Sequence, residues 1–76
     1  MNNKRRFTVT TGPNNSIRLY ESDSGRLFRT INVGQQITSQ PIATEGEVFV
    51  TVETASGPQV NYYGLPGGNL IRTVRT

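Results

Sequence analysis

The side chains able to do chemistry in this chain are few. Its five carboxylates are Glu21, Asp23, Glu45, Glu47 and Glu53, and there is no histidine and no cysteine in 76 residues. Without imidazole or thiol, the usual nucleophile–base pairs cannot be built. The acids fall in two sequence-local pairs, Glu21 with Asp23 and Glu45 with Glu47, each beside a turn. A carboxylate pair can divide acid–base work or hold a hard cation. A turn acid more commonly bonds its own backbone or water, and that is the expectation here. No glycine-rich loop is followed by Lys-Ser/Thr, so a phosphate cradle is not expected. The reading is of a non-enzymatic chain with no catalytic residue, no metal site and no cofactor.

Binding chemistry is better represented. The net charge of +3 comes from Lys4 and seven arginines set against the five acids. That balance permits contact with nucleic acid or an acidic surface without requiring it. Lys4, Arg5 and Arg6 form a basic arm that could grip phosphates or an acidic partner; the competing reading is a solvated arm that discourages edge-to-edge aggregation. Arginine tolerates interfaces better than lysine. Arg29 and Arg72 are the informative pair, because both follow an apolar dipeptide and precede a threonine: Leu27-Phe28-Arg29-Thr30 and Leu70-Ile71-Arg72-Thr73. Tyr20, Tyr62 and Tyr63 are further interface candidates, since tyrosine buries area while keeping a polar handle. Phe7 and Val9 join them as apolar residues at one end of the pattern.

The elements that must position these groups are strands. Glycine, threonine, asparagine and serine are abundant, and no stretch has helical periodicity. Alternating segments predict strands over 7–11, 16–21, 26–33, 37–43, 47–54, 59–64 and 69–75, separated by turn clusters such as Gly12-Pro13-Asn14-Asn15 and Ser22-Asp23-Ser24-Gly25. Pro41 lacks a ladder donor, so its strand is expected at an edge or a bulge. The chain is expected to be all-β, with about seven short antiparallel strands.

The chain also repeats itself. Residues 7–33 overlay residues 50–76 without a gap, and eight of the 27 pairs are identical, where ordinary composition gives about two. The identities include Thr8/Thr51, Val9/Val52, Tyr20/Tyr63, Gly25/Gly68 and Arg29/Arg72. This predicts three segments: a basic arm over 1–6, a first sheet unit over 7–33 and a second over 37–76.

A period near 43 residues with four strands is in the range of propeller blades. The second unit resembles the quinoprotein-type (PQQ-like) β-propeller repeat. Its pieces stand in the same order: Ser39-Gln40-Pro41-Ile42, Glu45-Gly46, Val48-Phe49-Val50, Val60-Asn61-Tyr62-Tyr63, Gly67-Gly68 and Leu70 to Val74. Phe28 and Ile71 occupy the outer-strand place where that repeat carries tryptophan, a departure that argues against quinone chemistry. The resemblance implies one complete blade and one lacking its inner strand, completed by further copies or a partner; the alternative is a small β-sandwich or barrel. In composition the chain also resembles minor virion proteins of tailed phages, and propeller-like modules are found in the tail nozzles of short-tailed phages.

A chain of this length is marginal alone and lacks disulfide or metal support. The leading expectation is therefore a structural protein that self-associates, or docks on a larger assembly, by β-sheet packing. Such a protein would work in a virion if the phage resemblance holds. The runner-up is a nucleic-acid-binding module using the basic arm, and a third reading is a small repeat-built lectin. No apolar run approaches the roughly 20 residues of a membrane-spanning helix, and no apolar signal core follows the basic arm, so a soluble protein is expected.

Overall fold

The computed structural model describes residues 6–76. It is all-β, with no helix among those residues. The first antiparallel sheet has the order β1-β2-β3, from β1 (Phe7–Gly12), β2 (Ser16–Glu21) and β3 (Leu27–Asn32). The second contains β4 (Gln36–Ile37), β5 (Ile42–Ala43), β6 (Glu47–Thr54), β7 (Gly57–Gly64) and β8 (Leu70–Arg75). In it β6 pairs with β4 and β5 on one side and β7 on the other, and β8 follows β7.

The strand expected over 37–43 is two short ones. β4 and β5 are the ends of one edge segment along β6, interrupted at Ser39-Gln40-Pro41. Proline cannot donate to the ladder there, and Pro41 is buried. A side chain takes over instead. Ser39 Oγ accepts the Thr51 backbone N–H at 3.0 Å, beside a Thr38 N–H bond to the Thr51 carbonyl at 2.9 Å.

The β1–β2 turn holds Asn14 and Asn15 both at φ 58°, a left-handed conformation that asparagine tolerates. Asn15 also ties this turn to the connection between the sheets. Its carbonyl accepts the Val33 N–H at 3.1 Å, and its Oδ1 accepts the Ile37 N–H at 3.3 Å.

Strand alternation then decides what is buried. Ile17, Leu19 and Ile31 share one face of the first sheet; Val48, Val50, Val52 and Tyr63 share one face of the second. These seven form a single buried cluster, which packs the two sheets together. Phe7, Val9, Phe28, Val33, Ile37, Ala43 and Leu65 lie partly buried around it. One polar side chain is held inside. Asn61 is 3% exposed, yet its Nδ2 donates to Gln35 Oε1 at 2.9 Å and Tyr63 Oη at 3.2 Å. Its Oδ1 accepts from Gln59 Nε2 at 3.1 Å and Thr73 Oγ1 at 3.2 Å. All four positions of the amide are satisfied, so burying it costs little.

The two sheets contain the same hairpin. The register of β2 with β3 (Ser16↔Asn32, Leu19↔Arg29) becomes that of β7 with β8 (Gln59↔Arg75, Tyr62↔Arg72) on adding 43 to every number, and both have a bulge at the equivalent step, Leu19/Tyr20 and Tyr62/Tyr63. Their turns close with the same bonds. Gly25 N–H meets the Glu21 carbonyl at 2.7 Å and Gly68 N–H meets the Gly64 carbonyl at 2.7 Å, with both glycines at positive φ (71° and 82°).

The ungapped overlay fails one strand earlier. β1 pairs Val9 with Leu19, and the matching pair in the second sheet is Phe49 with Tyr62, so β1 corresponds to β6 at a spacing of 40. A further bond agrees: Ser22 N–H to the Arg6 carbonyl (3.1 Å) corresponds to Leu65 N–H to the Gly46 carbonyl (3.0 Å). The identities Thr8/Thr51, Val9/Val52 and Thr11/Thr54 therefore pair residues that are not equivalent. Threonine and valine are common in any strand, which makes such coincidences easy.

With one small core, the chain should be sensitive at Leu19. Leu19→Ala is expected to cost about 2–5 kcal/mol, whereas Thr10→Ala, on the opposite face, should stay within about 0.5 kcal/mol. Urea denaturation followed by circular dichroism measures both; equal effects would contradict the buried face assigned here.

Candidate interaction surface

Each sheet has two faces, which the equivalence allows to be named consistently. Face A of the first sheet carries Ile17, Leu19, Arg29 and Ile31, and their equivalents in the second are Val60, Tyr62, Arg72 and Val74. Face B of the second carries Val48, Val50, Tyr63 and Thr73, equivalent to Thr8, Thr10, Tyr20 and Thr30 of the first. The core is made by face A of the first sheet against face B of the second. Face A of the second sheet and face B of the first are thus left on the outside.

The outer face of the second sheet is apolar in the middle. Ile42 pairs with Phe49 and Phe49 with Tyr62, so a row crosses β5, β6 and β7, with the two rings 5.2 Å apart. Arg72 extends the row onto β8. Its guanidinium lies 4.1 Å from the Tyr62 ring centroid and its Nη1 donates to Glu47 Oε2 at 3.0 Å. A second row joins Thr51, Val60 and Val74. Ile42 is 53% and Val74 44% exposed.

Three of the seven expected interface residues lie on the outer faces. Tyr62 and Arg72 lie on the outer face of the second sheet, and Tyr20 on the outer face of the first. Tyr63 belongs to the core, where it is 5% exposed. Phe7 and Val9 pack at the margin of that core, Phe7 with its ring 5.1 Å from Phe28. Arg29 flanks the junction of the sheets: a Cβ built on Gly68 would come within 3.1 Å of Arg29 Cδ and of Ile31 Cγ1. Arg6 is exposed just ahead of β1, while Lys4 and Arg5 lie outside the described residues. Ile42, Phe49, Val60 and Val74 are not among the interface residues expected from the sequence. Their signal is the opposite phase of the strands whose other phase is the core.

Among the described residues no three carboxylates gather. Glu21 accepts from Ser24 Oγ at 3.3 Å in its own turn, and Glu47 is engaged by Arg72. A cleft of about 400 Å³ opens between the β1–β2 turn and the 37–40 segment, lined by Thr11, Gly12, Asn15, Ile37, Thr38, Ser39 and Gln40, none of them charged. Among the described residues no helix is long and apolar enough to cross a membrane. No protein-family model, curated protein or solved structure matches this chain.

The Arg72–Glu47 pair is half exposed, with side-chain exposures of 49% and 31%, so solvent screens most of its energy. Arg72→Ala is expected to lower the stability of the single chain by less than about 1 kcal/mol. Thermal melts of Arg72→Ala, Glu47→Gln and the double variant form the test; a loss as large as that of Leu19→Ala would contradict it.

Proposed function

We propose that this protein is a non-enzymatic building block that self-associates, or docks on a larger assembly, through β-sheet packing. The observation that carries this reading is the outer face of the second sheet. It holds the counterparts of the residues that form the first sheet's core contact, and it has no cover among the described residues. Monomeric domains seldom leave a contiguous apolar patch facing water without a use for it. Aromatic residues with an arginine beside them are the composition of an interface centre. A propeller-like arrangement of blades fits the second sheet, in which β4 and β5 share one edge beside β6, β7 and β8, and a minor component of a phage virion is the setting its composition resembles.

Light scattering coupled to size exclusion gives the direct test. The mass at micromolar concentration is expected to be a multiple of the 8.4 kDa chain. A single-chain mass at every concentration, together with failure to join a larger assembly, would overturn the proposal.

A further inference from the structure

We infer that a second copy of this chain covers the outer face of the second sheet with the outer face of its own first sheet, so that copies stack head to tail. This rests on the self-association reading above and adds the geometry. A sheet-to-sheet contact of this kind already exists inside the molecule: face A of one unit lies against face B of the next. The two exposed faces are one A and one B, and they can meet in the same way between chains.

The matching positions support this residue by residue. On the A side, Val60, Tyr62 and Val74 replace Ile17, Leu19 and Ile31, apolar for apolar. On the B side, Tyr20 repeats Tyr63, and Thr8 and Thr10 replace Val48 and Val50. Threonine has the shape of valine with a hydroxyl for one methyl. The contour of the B face is kept, while the hydroxyls keep it wettable in a free chain. Charge agrees as well: on the exposed A face Arg72 is paired with Glu47, which leaves Glu53, and the exposed B face carries Arg18.

The glycine turns locate the contact. Gly68, on the B-face unit of the internal junction, fits against Arg29 and Ile31 so closely that a Cβ there would lie 3.1 Å from each. Gly25 has the same turn and the same positive φ, but nothing lies within 4 Å of where its Cβ would be. In the head-to-tail arrangement Gly25 of one chain sits against Arg72 and Val74 of the next. The arrangement is heterologous: each chain offers two different faces, so copies form either a closed ring or an open stack.

Cysteine pairing tests this cleanly because the chain has none of its own. Gly25→Cys and Val74→Cys are made as separate variants, one of them isotope-labelled, then mixed and mildly oxidised. Disulfides are expected only between unlike chains. Because Gly25 sits at positive φ, Ser24→Cys serves as a second probe in the same turn. Val74→Cys linking to itself would mean that two A faces meet, and would overturn the inference. Absence of links while light scattering still reports a multimer would also overturn it, leaving self-association standing. A chain that stays single throughout would remove both. Independently, Val74→Asp should weaken association by about ten-fold or more, since the carboxylate would lose its water on assembly, with the strand signal in circular dichroism unchanged. Unaltered association would count against the face chosen.

Discussion

Everything in this molecule hangs on one contact: Ile17, Leu19 and Ile31 against Val48, Val50, Val52 and Tyr63. A single core in a chain of this size supplies about 3–5 kcal/mol of net stability, comparable to what one large-to-small substitution in it removes. No disulfide is available to supplement it. The polar devices around the core keep this contact in register. Asn61 binds β7 to β8 and to the linker, Asn15 binds the first turn to the same linker, and Ser39 bridges the place where Pro41 breaks the edge strand. Each gives a partner to a backbone N–H or to a side-chain amide.

The same contact explains why two faces are left over. A sheet has two sides, and two equivalent sheets stacked in the same sense use one A and one B. The remainder is again one A and one B. A pairing of like faces would have left two B faces, or two A faces, outside. The leftover A face is the more apolar, with Phe49, Tyr62, Val60 and Val74; the leftover B face is dressed in threonine. That asymmetry separates a face that needs cover from one that can wait in water.

Much of this was legible in the residues. Alternation in Glu47–Thr54 and Ser16–Glu21 marks both strands and their buried phase, and the all-β class follows from it. The recurrence of Leu-x-Arg-Thr after glycine marks the equivalent hairpins, because the turn, the bulge and the outer strand each constrain the residue at their position. The ungapped overlay misplaces the first strand for a physical reason. Strand propensity is shared by all its threonines and valines, so identity there carries no register information. The count that sets register is the length of the preceding hairpin, which is three residues greater between Val52 and Gln59 than between Gly12 and Ser16. The break at Pro41 follows from its missing donor, but the hydroxyl that repairs it belongs to a tertiary contact. For Tyr62 and Tyr63, adjacency shows that they point apart; only the register shows which one is inside.

The three tyrosines offer the most direct measurement of the central claim. Hydroxyl-radical footprinting, read by mass spectrometry over a range of protein concentrations, reports the exposure of each. Tyr63 should be protected throughout, because the internal contact covers it. Tyr62, on the outer A face, and Tyr20, on the outer B face, should both become protected as copies associate, and with the same midpoint. Protection of Tyr62 with Tyr20 still exposed, or no change at either as the protein is concentrated, would contradict the account.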